Sequence, residues 1–321
     1  MRDLHGTKTI LLGPQRHMPT VGAALASLGV DGGPVAVITA GWEEREAEDL
    51  ELGEHLGRQV LNLGLHDRAE ALLQADRALH EALRAQRERL RELQRLYRLR
   101  LRHVAPAAEE LLRSEGPEDL LEPERAAALD QLRALDEHHL GRVRELEAEI
   151  VERTDLAHHA ELAGHRREIA ARIAEAEVLL VAGGHVGFLY NRLWLFDVLD
   201  LVPPTMPIVA WSAGAMVLSE RIVLFHDAPP QGRGWAEIFG PGLGLCRGIV
   251  PLPHASQRLL LDDPVRVQML SRRFPDALCV ALDEGRELVW DGRAWTGSVD
   301  TQRLGVRGEL AAVGTVAGDD R

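Results

Sequence analysis

Short apolar runs alternate with helix-like segments at the start of the chain. The runs are KTILLGP, GPVAVITAG and QVLNLGL, and they are separated by PTVGAALASLG and EAEDLELGEHLG. Strands that alternate with helices are typical of a parallel sheet, and unbroken apolar strands fit a sheet covered on both faces. The same pattern returns downstream in segments 176–184, 207–212, 248–254, 276–285 and 287–292. We therefore expect one α/β domain built from two separated parts of the chain.

The stretch between these parts is rich in Leu, Ala, Arg and Glu, and its only glycines are Gly116 and Gly141. Its leucines recur at spacings of three, four and seven, which is the period of an amphipathic helix. We predict a long helical hairpin or coiled coil that breaks at Gly116, Pro117 and Pro123, followed by a third helix, HRREIAARIAEAE, that leads back into the sheet. The predicted boundaries are 1–66 and 157–321 for the α/β domain and 67–156 for the insertion.

Net charge and cysteine content exclude several classes of function. The formal net charge is -13, and excess Lys and Arg is what attracts proteins to nucleic acid and anionic membranes, so the balance argues against both partners. No run approaches the roughly 20 apolar residues of a membrane span, and MRDLHGTKTI lacks a secretory pattern, so we expect a cytoplasmic protein. Cys246 and Cys279 lack metal-ligand spacing, so we expect two structural cysteines and no metal.

The first helix of the insertion is locally basic in an otherwise acidic protein. Two interpretations stay open: a solvated face that pairs with glutamates of the returning helix, or a docking surface for an acidic partner or nucleic acid. No aromatic residues are interleaved for base stacking, which argues against nucleic acid. The basic residues are Arg84, Arg87, Arg89, Arg91, Arg95, Arg98, Arg100 and Arg102.

The segment AWSAGAMVLSE places Ser212 among small residues, directly after an apolar run and before a helix-like stretch. A sharp strand-to-helix turn that presents a nucleophile needs small flanking residues. The amide of Ala213 would then donate to an oxyanion at the helix N-terminus. The alternative is that Ser212 is a simple helix N-cap.

A glycine pair, Gly183 and Gly184, follows the strand that precedes the serine strand. Glycines at this place allow close approach of a ligand and can supply the second oxyanion amide, although a simple turn would look the same. Asn191 and Arg192 come shortly after, and they either orient a substrate carboxylate or cap and solvate their helix.

A serine nucleophile needs a base, and the base needs an orienting acid. His254 ends the predicted strand GIVPLP, where we expect it to share a sheet edge with Ser212. Glu284 follows the strand ALCVAL, and its neighbour Asp283 competes for the role of the acid. The chain order of serine, histidine and acid differs from that of the α/β hydrolases.

Four motifs follow one another in the chain: GG at 183–184, WSAGA at 211–215, GLGLCRGIVPLPH at 242–254 and ALDEG at 281–285. Together they resemble the peptidase S51 family, which includes aspartyl dipeptidase (peptidase E) and cyanophycinase. The resemblance covers residues 160–300 well and residues 8–66 weakly. It implies a class I glutamine amidotransferase-like fold, which is a flavodoxin-like three-layer sandwich around a mostly parallel sheet, and it implies no cofactor.

The resemblance also implies roles for individual residues. Ser212 would be the nucleophile, His254 the general base and Glu284 its partner, with the amides of Gly184 and Ala213 as the oxyanion hole. The sequence departs from the family where Ala210 and Trp211 replace the usual Gly-Thr, and where His185 replaces Asp or Asn after the glycine pair. Substrate preference is therefore not carried over. The candidate substrate-binding residues are Gly183, His185, Asn191, Arg192 and Trp211, with Gln231 and Arg233 of the HDAPPQGRG loop as further candidates.

The implied function is hydrolysis of an amide bond in a small peptide or isopeptide through an acyl-enzyme. The alternative is a catalytically silent scaffold whose helical insertion mediates oligomerisation or partner binding. An ammonia-transferring amidotransferase is a third reading, but those enzymes carry cysteine where Ser212 stands. We expect a homo-oligomer, with the insertion as a candidate interface.

Overall fold

The chain folds into a mixed α/β structure with a large sheet and a long helical hairpin. The computed structural model describes residues 6–30, 32–230 and 232–318. The strands are β1 (Thr9–Leu12), β2 (Val35–Ile38), β3 (Val60–Asn62), β4 (Val178–Val181), β5 (Ile208–Trp211), β6 (Arg221–Leu224), β7 (Glu237–Pro241), β8 (Ile249–Pro253), β9 (Leu278–Leu282), β10 (Glu287–Trp290), β11 (Ala294–Gly297), β12 (Gln302–Leu304), β13 (Leu310–Ala312) and β14 (Thr315–Ala317).

Eleven α-helices connect these strands in the described residues. They are α1 (Val21–Ser27), α2 (Leu50–Leu56), α3 (Leu65–Ala75), α4 (Arg77–Arg113), α5 (Glu118–Thr154), α6 (Ala160–Ala174), α7 (Val186–Leu195), α8 (Val198–Leu201), α9 (Ala213–Leu218), α10 (Ala255–Arg258) and α11 (Pro264–Arg273), with short 3₁₀ helices at Ala40–Arg45 and Leu156–His158. None of these helices combines the length and apolar character needed to cross a bilayer.

The large sheet has eight strands in the order β14-β11-β10-β1-β5-β4-β2-β3. Strands β1, β5, β4, β2 and β3 are parallel, and β10, β11 and β14 extend the sheet in antiparallel fashion. The chain moves from β2 outward to β3, but from β4 it moves in the opposite direction to β5. The sheet order therefore reverses between β2 and β4, and ligands of open α/β sheets bind at the carboxyl ends of strands beside such a reversal.

Alternate residues of the parallel strands face two different apolar clusters. Val35 and Val37 of β2 pack with α1 and α2 on one face. Ala36 and Ile38 pack with α6 and α7 on the other face. All four side chains are fully buried, which explains why these strands have no polar alternation in the sequence.

The expectation of a single sheet is wrong for the strand that carries His254. Strand β8 pairs in parallel with β9 in a separate four-stranded sheet, of order β13-β12-β9-β8. Strands β6 and β7 form a further two-stranded ribbon. Buried parallel strands have the same apolar composition in either sheet, so composition could not assign β8 and β9 to one of them.

The insertion is an antiparallel pair formed by α4 and α5, and α3 and α6 flank it in the chain. The predicted break is confirmed at Gly116 and Pro117, but it is wrong at Pro123, which lies inside α5. Pro123 is close to the start of that helix, where its missing N–H removes one hydrogen bond without ending the helix. Pro106 also lies inside a helix, towards the C-terminal end of α4.

A buried polar network fastens the hairpin to the rest of the molecule. The Arg273 guanidinium of α11 donates to both carboxylate oxygens of Asp136 in α5, over 2.6 Å each, and to the Tyr97 hydroxyl of α4 over 2.8 Å. The Tyr97 oxygen also accepts from Ile238 N of β7 over 3.0 Å. Arg273, Asp136 and Tyr97 are each at least 95% buried, so their charges and hydrogen bonds satisfy one another away from water.

Candidate active site

Ser212 lies in a strained turn between β5 and α9. Its backbone has φ 50° and ψ -120°, a region that non-glycine residues rarely occupy. The conformation is fixed at both ends, because Ser212 N donates to Leu12 O of β1 and Ser212 O accepts from Met216 N, both over 3.2 Å. Such strain costs about 1–3 kcal/mol and concentrates at functional sites. The turn has the form of a nucleophile elbow at the carboxyl edge of the large sheet.

The small residues around this turn are required by close packing of the backbone. A Cβ on Gly183 would lie 2.8 Å from Ser212 Cβ, and a Cβ on Gly214 would collide with the carbonyl of Val181. Gly184 has φ 116° and abuts the carbonyl of Gly41, which follows β2. The glycine pair after β4 therefore touches the serine turn on one side and the end of β2 on the other.

The two amides predicted to form an oxyanion hole donate to no described residue. Ala213 N is the first amide of α9, and it lies 3.6 Å from the Cβ position of Gly183. Gly184 N likewise makes no hydrogen bond within the part of the chain described. Gly184 is exposed and Ala213 is 6% exposed. Neither N–H group is used within the described residues, and their joint role as an oxyanion hole stays a prediction.

His254 follows β8 with left-handed backbone angles, φ 58° and ψ 34°, and its N donates to Leu282 O of β9 over 3.3 Å. Partial burial of the imidazole, assisted by the positive charge of Arg258, lowers the pKa of His254, while Asp283 and Glu284 act in the opposite direction. This shift favours the neutral ring that a general base requires. No hydrogen bond joins the Ser212 hydroxyl to this ring among the described residues.

The two candidate acids have different surroundings. The Asp283 carboxylate accepts from Ser256 N over 3.0 Å and from Ser256 Oγ over 2.9 Å, so it holds the start of α10. Glu284 has no hydrogen bond to a described residue. Both line a polar cavity of about 410 Å³. Asp283 is engaged by Ser256, whereas Glu284 is not, and the choice between them as the acid stays a prediction.

The second sheet approaches the large sheet at this point. Gly13, which follows β1, packs against the carbonyl of Asp283, and Gly13 N donates to Arg286 O over 2.9 Å. Because β1 is the neighbour of β5, the turn that carries Asp283 and Glu284 lies beside the strand that ends at Ser212. The structure thus brings the serine, the histidine and both acids to one region, although β5 and β8 belong to different sheets.

The predicted substrate-binding residues are divided between this region and the interior. His185 is exposed, its N donates to Gly41 O over 2.7 Å, and its Nδ1 caps α7 by accepting from Phe188 N. Trp211 is 7% exposed and packs in the cluster beneath α1 and α2. Its indole is therefore part of the core on that face.

Asn191 and Arg192 lie further along α7. The Arg192 guanidinium is 4% exposed, donates to Glu70 of α3 over 2.6 Å, and stacks over Phe188. Asn191 lines a small cavity against α4. Their contacts are with the helical layer, and substrate binding by these two residues stays a prediction. Arg233 pairs with Glu109 of α4, and Gln231 lies outside the described residues.

Sequence reasoning missed three residues that follow β1 and β2: Gly13, Gly41 and Glu43. Glu43 has φ 58° and ψ -126°, nearly the angles of Ser212, and follows β2 at the point where the strand order reverses. The two glycines carry the signal that identified Gly183, a glycine close behind an apolar strand, in LLGP and ITAG. No sequence signal marks the strain at Glu43.

Comparison with known proteins finds similarity to solved structures. No family model matches the chain, and no curated protein sequence matches it. A solved structure described as a peptidase from an acI-B1 Actinobacterium aligns over 97% of each chain, with 13% identity and a TM-score of 0.49. At this identity and TM-score, the likeness contributes no argument about chemistry.

Proposed function

We propose that the protein is a serine hydrolase of the peptidase S51 type, which cleaves an amide bond in a small peptide or isopeptide. The observation that carries the proposal is the backbone of Ser212, with φ 50° and ψ -120° between β5 and α9. Backbone strain lowers the stability of the fold, so its presence at Ser212 supports a functional role for the turn. With it we propose a class I glutamine amidotransferase-like, flavodoxin-like domain formed by residues 1–66 and 157–321 and interrupted by residues 67–156.

In the proposed reaction, His254 takes the proton of the Ser212 hydroxyl as the oxygen attacks the carbonyl carbon. The negative charge that forms on the carbonyl oxygen is stabilised by the amides of Gly184 and Ala213. His254 then returns the proton to the leaving amine, which breaks the amide bond and leaves an acyl-enzyme. A water molecule, deprotonated by His254, hydrolyses the ester. Glu284 orients the imidazole, since Asp283 is held by Ser256.

These steps have characteristic magnitudes. General base catalysis typically contributes 10²- to 10⁴-fold, and one oxyanion donor about 3–4 kcal/mol. The histidine and serine must move into hydrogen-bond contact when substrate binds, because apo sites are often looser than their complexes.

A second candidate function is favoured by the missing hydrogen bond between Ser212 and His254: a silent scaffold that assembles through its hairpin. Leu96 and Leu99 of α4 are 43% and 40% exposed and adjacent on the helix, which suits contact with a second copy of the chain.

Labelling with a serine-reactive fluorophosphonate separates the two candidates. We expect wild type to be labelled at Ser212 and Ser212→Ala to be unlabelled, with the site located by peptide mass. Ser114→Ala is the matched control, because Ser114 is a serine of the exposed tip between α4 and α5 and its loss should leave labelling unchanged. A folded wild-type protein that does not react would contradict the hydrolase and favour the scaffold.

A further inference from the structure

A second cavity lies between the middle of α4 and the segment that joins β6 to β7. Its volume is about 390 Å³, within the range of small-molecule sites. Three arginines and one glutamate supply its charges: Arg98, Arg102, Arg233 and Glu237. Arg233, a substrate-binding candidate from the sequence, is among its lining residues, whereas Ser212, His254 and Glu284 are not. The cavity is therefore separate from the residues of the proposed catalytic steps.

The arginines keep donors free for a ligand. Arg102 is exposed and forms no ion pair with any described residue. Arg98 uses Nε and Nη2 to hold Glu237, over 2.6 and 2.7 Å, which leaves Nη1 free. Arg233 uses only Nη2, on Glu109. Because a guanidinium has five N–H donors, the pairs fix the side chains in place without exhausting their hydrogen bonds.

An apolar aromatic wall faces these charges. Phe225 is 5% exposed, and Trp235 is half-buried with Arg266 placed 5.9 Å from its ring centroid. Trp235 Nε1 also donates to Glu109 over 3.4 Å, so the indole has a fixed orientation. Rigid aromatic rings of this kind pack against planar ligands.

We propose that this cavity binds a small anionic ligand that carries a phosphate group and a planar ring, the chemistry of a nucleoside diphosphate. Guanidinium groups match phosphate oxygens in geometry and charge, and the aromatic wall supplies the surface for the ring. In a chain of net charge -13, the arginines of this cavity outnumber its one lining glutamate, and Arg102 has no ion pair with a described residue. Arg102 is the residue whose charge the ligand would neutralise first.

Calorimetric titration of the full chain with ADP tests the proposal. We expect saturable binding that Arg102→Ala weakens about tenfold, as for loss of a charged hydrogen bond. Arg102→Lys should weaken it less, because the charge remains. The matched control is Arg100→Ala, since Arg100 is also exposed and forms no ion pair among the described residues, but points about 200° away around the helix. Arg100→Ala should bind ADP as tightly as wild type does.

Adenosine and inorganic pyrophosphate serve as the two partial ligands, and both should bind more weakly than ADP. Adenosine binding as tightly as ADP would overturn the role of the arginines, and pyrophosphate binding as tightly would overturn the role of the aromatic wall. Absence of ADP binding, or equal losses in Arg102→Ala and Arg100→Ala, would overturn the site. Labelling of Ser212 reports separately on the hydrolase.

Discussion

At the scale of single residues, strain marks the ends of three strands. Glu43, Ser212 and His254 are non-glycine residues with positive φ, and they follow β2, β5 and β8. Each such conformation costs about 1–3 kcal/mol, which the surrounding hydrogen bonds and packing must offset. For Ser212 the restraints are Leu12 O, Met216 N and the missing side chain of Gly183.

Gly183→Ala should abolish reaction at Ser212 while the protein stays folded. The added Cβ would lie 2.8 Å from Ser212 Cβ, a distance that forces the turn to shift. The measurement is fluorophosphonate labelling together with the circular dichroism spectrum. Gly141→Ala is the control, because Gly141 lies inside α5 with open space around it, and the change should stabilise the protein by about 0.5–1 kcal/mol. Full labelling of Gly183→Ala would argue against the crowded turn.

The rate of labelling at Ser212 should fall as the pH is lowered, with a midpoint below the ordinary histidine pKa of about 6.5. Burial and Arg258 lower the pKa of His254, and the base acts only when it is neutral. Arg258→Gln should move the midpoint up, whereas Glu284→Gln should move it down, because these charges act on the imidazole with opposite sign. A midpoint above 6.5 in wild type would be inconsistent with this base.

The sequence allowed candidate residues of the site to be chosen, but it did not predict the contacts that they make. Order along the chain and position after strands selected Ser212, Gly183, His254 and Glu284. Backbone angles and hydrogen bonds depend on neighbours far along the chain, such as Leu12 for Ser212 and Ser256 for Asp283. For that reason the strain at Glu43 and the engagement of Asp283 were not predictable.

At the scale of elements, α5 and α7 meet at a partly buried carboxyl group. Glu147 of α5 accepts from the Tyr190 hydroxyl of α7 over 2.9 Å, and burial raises the pKa of Glu147 to about 7. The unfolded pKa is near 4.5. The folded state binds the proton of Glu147 more tightly than the unfolded state does. The contribution of this proton to stability is therefore complete below about pH 4.5 and is lost as the pH rises through 7.

Glu147→Gln should therefore stabilise the protein more at pH 8 than at pH 5, by about 1–3 kcal/mol. The amide keeps the shape and accepts from Tyr190 without a charge. Thermal unfolding of both proteins at the two pH values measures the difference. Glu145→Gln is the control, since Glu145 is exposed two residues away and pairs with Arg142. Equal stabilisation by Glu147→Gln at the two pH values would contradict the raised pKa of Glu147.

Most elements of the large sheet were predictable, because β1 to β5 are apolar runs bounded by glycine, proline and helical periods. Strands β6, β7 and β11 to β14 were not predicted. They are short, several lie half in solvent, and their sequences mix polar and apolar residues without a clear period.

At the scale of the whole molecule, the hairpin and the sheet share one apolar cluster. Leu101, Leu129 and Leu132 of the hairpin belong to the same buried cluster as Leu179 of β4 and Leu252 of β8. The division into an α/β domain and an insertion describes the chain order, whereas the packing is continuous.

Asp136→Asn should lower the free energy of unfolding by about 3–5 kcal/mol, because it leaves the buried charge of Arg273 without a counterion. Asp130→Asn removes an exposed carboxylate from the same helix, and its ion pair with Arg133 should be worth at most about 1 kcal/mol. Urea unfolding of both variants provides the comparison. Similar losses in the two variants would contradict the stabilising role of the buried network.

The hairpin also has a consequence for how the sheet assembles. Strands β2 and β4 pair Ala36 with Leu179, so the central contact of the sheet must close a loop that contains the whole insertion. The helical periods of α4 and α5 are local, and folding them first returns Thr154 to the neighbourhood of Arg77. Removing about half of the loop in this way lowers the entropic cost of closing it by roughly 0.6 kcal/mol and shortens the effective separation of β2 and β4 along the chain. We therefore expect early folding of the insertion to shorten the loop that the sheet must close.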